Sequence, residues 1–119
     1  MAEVYQVKPD DKLLRWLHPG QFNWEEKRAT SAAFKDDRMS VEILSLTTIE
    51  ESYNRAKKQG KNAVASIKAR LVLEKELEVC HDPTEDNYAH ALVLGKKTKS
   101  IYKFLAENSE VEIYPPSEQ

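Results

Sequence analysis

The chain has little of what marks a secreted or membrane-spanning protein. Its 119 residues include one cysteine, Cys80, so it cannot form an internal disulfide, and one thiol cannot build a zinc site alone. We therefore expect a reducing, cytoplasmic setting. No apolar run approaches the roughly 20 residues that a membrane-spanning helix needs. The N-terminus has neither a basic region nor an apolar segment, which predicts no signal peptide.

The chain also lacks a strong excess of charge. Its formal net charge is −2, so no global basic surface favours nucleic acid or an anionic membrane as a partner. What is present is an ordinary 40 % of hydrophobic and 32 % of charged residues. A chain of this length can bury about two thirds of its unfolded surface. We predict one compact domain over residues 1–119, frayed at about 115–119, with no cofactor.

The order of apolar patterns predicts an α+β fold. Strands are predicted where apolar residues alternate or run together: 2–7, 39–44, 63–67, 77–80, 88–94 and 111–114. Helical segments are predicted from capping residues and a three-to-four-residue apolar period: a short turn over 10–17, then 47–58, 68–76 and 96–107. Residues 62–76 also fit a single longer helix, and Ser31–Phe34 fits a short extended piece. Because these segments interleave irregularly, we predict a mixed or antiparallel sheet with helices mainly on one face.

The stretch Tyr88–Ser100 is predicted to organise the domain, as a central strand that leads through a glycine into a lysine-rich helix start. A phosphate-binding loop would need a glycine where His90 stands and Ser or Thr where Lys97 stands, so nucleotide hydrolysis is not predicted. The positive end of a helix dipole disfavours Lys96, Lys97 and Lys99. These lysines are therefore either screened by solvent or neutralised by a bound anion.

Three histidines are the other candidates for chemistry. His90 lies on an apolar strand and is either a hydrogen-bonded core residue or an imidazole that faces a cleft. The preceding loop could bring His81 and Asp82 to it, which would suit acid–base work or a divalent metal. The spacing matches no metal motif, so no metal site is predicted. His18 stands in a turn before Pro19 and could converge with the others.

The hydroxyl and thiol groups are weaker candidates. Ser31 and Ser40 could pair with a histidine, but neither is surrounded by the glycines of a nucleophile elbow, so serine catalysis is not predicted. Cys80 lies in an apolar strand, where a lone thiol behaves as a small, inert hydrophobic group.

A sparse skeleton of residues spans most of the chain. It consists of His18-Pro19, Ser31-x-x-Phe34, Ser40-Val41, Asp82-Pro83 and Ala89-His90-Ala91-x-Val93-x-Gly95. The skeleton resembles that of a family of small bacterial proteins. This resemblance implies a bacterial or phage-like cytosolic setting, and it makes the polar members of the skeleton the residues to test. It implies no particular activity or partner.

From these features we predict a non-enzymatic binding or accessory module that holds a small anionic ligand or a partner protein. The predicted ligand-binding residues are His18, His90, Lys96, Lys97 and Lys99. The alternative is a small hydrolase or nuclease-like enzyme that uses His90 with His81 or Asp82. A third reading is an assembly subunit or homo-oligomer, with an exposed patch made by Trp16, Phe22 and Trp24. Neither nucleic acid nor a membrane is expected as a partner.

Overall fold

The computed structural model describes residues 5–116, in which a six-stranded antiparallel sheet is combined with three α-helices. The strands are β1 (Lys12–Leu17), β2 (Phe22–Asn23), β3 (Arg28–Ala29), β4 (Arg38–Ile43), β5 (Ala63–Lys68), β6 (Glu78–His81), β7 (His90–Leu94) and β8 (Glu110–Ile113). The helices are α1 (Ile49–Lys58), α2 (Ala69–Glu74) and α3 (Lys99–Glu107). The order across the sheet is β6-β7-β4-β1-β5-β8, and β2 and β3 form a separate small pair. The predicted α+β class is confirmed.

The predicted helical turn over 10–17 is wrong, because this segment forms β1 in the interior of the sheet. β1 pairs with β4 on one side and β5 on the other. Neighbouring side chains of a strand point to opposite faces, and both faces of β1 are covered, so Leu13 and Leu14 are each fully buried. A strand of this kind loses the alternation that identifies strands in a sequence.

Two further segments differ from their predictions. Ser31–Phe34 forms a 3₁₀ helix instead of an extended piece, and it places Ala33 and Phe34 in the core. α3 begins at Lys99 and not at residue 96, because the Thr98 hydroxyl caps it by accepting a hydrogen bond from the Ile101 N–H. Of the predicted strand 2–7, residues 2–4 lie outside the described part and residues 5–7 form no strand.

The other predicted strands and helices are present, with bounds within two residues of the prediction, whereas β2 and β3 were not predicted. Residues 63–76 divide into β5 and α2, so the alternative of one longer helix is wrong. β7 is an interior strand, between β6 and β4. The frayed C-terminus predicted at about 115–119 lies mostly outside the described residues.

The two faces of the sheet are covered differently. One face packs against α2, α3 and the 3₁₀ helix at Ser31–Phe34. It forms the main core, which includes Phe34, Met39, Val93 and Leu105. The other face is covered in part by α1, which buries Ser52 and Ala56. Two of the three helices therefore lie on one face. None of the helices within residues 5–116 is long and apolar enough to cross a membrane.

Candidate functional site

An open cleft of about 850 Å³ lies on the same sheet face as α1, on the part that α1 does not cover. Its floor is formed by β1, β4 and β7, and its walls by the end of α1 and the loop 84–87. The cleft lies where β1 and β4 separate, because the register links only Leu13 to Ile43 and Leu14 to Glu42. Beyond these two pairs β1 and β4 are no longer paired, and the side chain of Arg15 reaches across to the Ser40 carbonyl.

Three polar side chains form a continuous hydrogen-bonded relay at the cleft. The imidazole of His90 places Nε2 3.2 Å from Oγ of Ser40. Its Nδ1 lies 3.2 Å from Oδ2 of Asp82 and 2.9 Å from the Asp82 carbonyl oxygen. The His90 side chain is 21 % exposed, so it is neither sealed in the core nor free in solvent.

The contacts of His90 decide which ring nitrogen carries the proton. Nδ1 faces two oxygens of Asp82, and both of them can only accept when the carboxylate is ionised. Nδ1 is therefore the protonated nitrogen of the neutral ring, and it donates to Asp82. Nε2 then holds a lone pair and accepts the hydrogen bond from the hydroxyl of Ser40. This tautomer is the one that general-base activation of a hydroxyl requires.

The pairing of three strands explains why these residues meet. His90 begins β7 and lies opposite Glu42 of β4, while Ser40 lies two residues along β4 on the same face. Asp82 follows β6 directly, and its N–H donates to the His90 carbonyl at 2.9 Å. The sheet register therefore brings together side chains that are far apart in the sequence.

A buried polar network supports the loop that joins Asp82 to His90. Glu42, only 2 % exposed, accepts two hydrogen bonds of 2.8 Å from Arg55 and one of 2.6 Å from Asn87. The Asn87 Oδ1 accepts in turn from the Ala89 N–H, one residue before His90. The network therefore fixes the end of the loop against the sheet.

The ionisation of Glu42 follows from these contacts. Burial alone would raise the pKa of Glu42, but hydrogen bonds from Arg55, Ser52 and Asn87 outweigh this effect and lower it. The same pairing raises the pKa of Arg55. Both groups are therefore charged at neutral pH, and they form an ion pair in the wall of the cleft.

Arg15 fills the gap between β1 and β4. Its Nη1 donates to the Ser40 carbonyl at 3.0 Å, and its Nε donates to the Ala33 carbonyl at 2.8 Å. Asp36 lies 3.3 Å from Nη2. Burial lowers the pKa of Arg15 and Asp36 opposes this effect, but a guanidinium stays protonated at neutral pH. A fixed positive charge therefore lies beside the backbone carbonyl of Ser40.

Of the residues predicted to act with His90, the structure brings Asp82 to it but not His81. His81 pairs with Ala91 across β6 and β7, so it faces the opposite side of the sheet from His90. It is buried there, with Nδ1 accepting from the Tyr5 N–H at 2.7 Å and Nε2 2.6 Å from the Tyr88 carbonyl.

His18 is also separate from the cleft. Its Nδ1 accepts from the Gly20 N–H at 3.1 Å, and its own N–H donates to Oε1 of Gln21 at 3.2 Å. It thereby caps the 3₁₀ helix at residues 19–21. His18 is not among the residues that line the cleft.

The predicted lysine site is not assembled with His90. Lys97 is buried, and its Nζ donates to the carbonyls of Val93 and Gly95 at 3.3 and 3.2 Å. Burial lowers its pKa, although Asp37 and Asp36 oppose this effect. Lys96 and Lys99 are exposed beyond the far end of β7, six or more residues from His90. The structure therefore does not gather His18, His90 and the three lysines into one binding site.

The three aromatic side chains of the predicted patch do not form one exposed surface. Trp16 is half-buried and donates from Nε1 to the Ser52 hydroxyl at 2.8 Å. Phe22 is buried, and Trp24 is 44 % exposed.

Sequence reasoning missed the parts of the site that depend on strand pairing. Arg15, Glu42 and Arg55 had no assigned role, although a glutamate among apolar residues of β4 signals a buried partner. Within residues 5–116 no group of three or more His, Cys, Asp or Glu side chains could hold a metal ion. Comparisons of the chain with protein-family models, with curated proteins and with solved structures found no match.

Proposed function

We propose that the protein is a small hydrolase that cleaves an ester or a related acyl bond in this cleft. The observation that carries the proposal is the relay from Ser40 Oγ through the His90 imidazole to the Asp82 carboxylate. A nucleophile in contact with a base, with the base held by a third group, is the arrangement that covalent hydrolysis needs.

Each residue has a distinct role in the proposed reaction. The Ser40 hydroxyl attacks the carbonyl carbon of the substrate and transfers its proton to Nε2 of His90. Asp82 keeps Nδ1 protonated and stabilises the imidazolium that forms. His90 then returns the proton to the leaving group, which departs as an alcohol. Water, activated by the same imidazole, hydrolyses the acyl-serine and restores Ser40. The guanidinium of Arg15, which is bonded to the Ser40 carbonyl, adds positive charge to the same cleft.

The setting that we propose for this activity is the bacterial cytosol. The single cysteine favours a reducing compartment, and the resemblance of the sequence skeleton to small bacterial proteins favours that origin. Both statements are part of the proposal.

The test combines turnover with covalent labelling. p-Nitrophenyl butyrate is the substrate, and a fluorophosphonate is the label. We expect Ser40→Ala, His90→Gln and Asp82→Asn each to lower kcat by about 10²–10⁴-fold, and a single adduct to map to Ser40. Ser31→Ala is the matched control, since Ser31 is the other serine of the skeleton. Turnover and labelling that persist in Ser40→Ala would refute the proposal.

A non-enzymatic module that holds an anionic ligand in the same cleft is the second candidate. It is favoured by the four cationic side chains that line the cleft, namely Arg15, Arg55, Lys58 and Lys61. This candidate predicts ligand binding without turnover, and it predicts that Ser40→Ala leaves ligand affinity unchanged.

A further inference from the structure

Two of the cations that line the cleft have no partner among residues 5–116. Arg15 is paired with Asp36 and Arg55 with Glu42. Lys58 and Lys61 also line the cleft, and within residues 5–116 their ammonium groups have no hydrogen bond or ion pair. A cation held at a cleft wall without a counter-ion is available to a ligand.

The balance of charge on the cleft wall supports an anionic ligand. Four cationic side chains line it against three anionic ones, Asp36, Glu42 and Asp86, although the whole chain has a net charge of −2. Asp82 does not line the cleft, since the His90 ring stands between its carboxylate and Ser40. The wall is thus locally positive on a protein that is negative as a whole, which attracts anions to this place.

The end of α1 fixes the backbone that carries the two lysines. Gly60, with φ of +78°, closes the helix by donating to the Lys57 carbonyl at 3.2 Å, while the Lys61 N–H donates to the Ala56 carbonyl at 3.0 Å. These two bonds form a Schellman motif. The backbone of Lys61 is therefore fixed at the cleft, one short turn after Lys58.

We propose that Lys58 and Lys61 form an anion subsite, so that the substrate carries a carboxylate or a phosphate away from the bond that is cleaved. The inference that this anion belongs to a substrate rests on the proposed function, but the anion subsite itself can be tested without turnover. Lysines near the C-terminus of a helix also stabilise the helix by interacting with its dipole. Lys57 makes the same interaction, but its ammonium lies over the Tyr53 ring, 4.7 Å from the ring centroid, and outside the cleft. It is the matched control.

The first experiment compares two esters with acyl chains of equal length. p-Nitrophenyl hemisuccinate carries a terminal carboxylate, and p-nitrophenyl butyrate carries a methyl group in its place. We expect the double change Lys58→Gln/Lys61→Gln to raise KM for the hemisuccinate by about tenfold, from two solvent-accessible ionic contacts. KM for the butyrate and kcat for both esters should stay within about twofold of the wild-type values. The effect shrinks in high salt, and Lys57→Gln does not reproduce it.

The second experiment separates this inference from the hydrolase proposal. Inorganic phosphate and succinate are titrated into Ser40→Ala, with and without the double lysine change, and followed by NMR. Weakened binding of either anion in the lysine variant supports the subsite and shows which anion it takes, even if no ester is hydrolysed. If neither anion binds Ser40→Ala, or if the lysine change leaves both affinities unchanged, the subsite is refuted even if the esterase activity is real.

Discussion

Glu42 is the carboxylate that ties three parts of the cleft together. It lies in β4 and accepts hydrogen bonds from Arg55 of α1 and from Asn87 of the loop that precedes His90. The change Glu42→Gln keeps the shape of this side chain and removes its charge. We expect it to destabilise the fold and to loosen both walls of the cleft.

The expected loss of unfolding free energy follows from these contacts. A hydrogen bond to a charged group contributes about 1.5–3 kcal/mol, and breaking a buried ion pair costs about 3–5 kcal/mol. Arg55 is 28 % exposed, so its released guanidinium can turn towards water, which removes the upper part of that range. Glutamine also still accepts one hydrogen bond. We therefore expect a loss of about 2–3 kcal/mol at neutral pH.

The pH dependence identifies the charge as the cause. The pKa of Glu42 is lowered in the folded protein, so its contribution to stability is complete above the pKa of the unfolded chain and is lost as the pH falls through the folded pKa. The stability gap between the wild type and Glu42→Gln should be constant from about pH 7 to pH 5. It should then shrink as the pH falls below the ordinary glutamate value of 4.5.

Urea unfolding at several pH values measures the gap. With a denaturant slope of about 1.5 kcal/mol/M, the expected loss lowers the midpoint by about 1.3–2 M. Glu50→Gln is the control, since Glu50 is exposed in the first turn of α1, the helix that also carries Arg55. This substitution should change the unfolding free energy by about 0.5 kcal/mol or less. A gap of less than about 1 kcal/mol at pH 7, or one that persists unchanged to about pH 3, would refute the reasoning.

Two further stability predictions concern backbone positions. Gly95→Ala should lower the unfolding free energy by about 2 kcal/mol or more, because Gly95 has φ of +133° and an added Cβ would lie 2.7 Å from Cδ2 of Leu77. Thermal unfolding measures the loss, and a melting temperature equal to that of the wild type would contradict it. Thr48→Ala should cost about 1 kcal/mol, because its hydroxyl accepts the Glu51 N–H at 3.1 Å and caps α1. Thr48→Ser restores a capping hydroxyl, so a loss as large in that variant would argue against capping as the cause.

The sequence alone predicted the elements that depend on local interactions. The capping threonine and the glycine after Lys58 define α1 in the sequence as well as in the structure, because caps act within one turn of the helix. The break between β5 and α2 was also visible. β1 was misread, since a strand covered on both faces carries apolar residues at positions that also fit a helix.

The sequence singled out His90 and gave His81 and Asp82 as alternative partners, but it could not choose between these neighbours. The register of β6 against β7 decides it: His81 pairs with Ala91 and faces away, and Asp82, one residue later, reaches the imidazole. Ser40 joins them through the pairing of β4 with β7, fifty residues from His90 in the chain. Cross-strand partners depend on the whole sheet, because a shift of one residue would turn every side chain to the other face. Composition and periodicity determined the fold class of this protein, and only strand register decided which polar side chains form its candidate site.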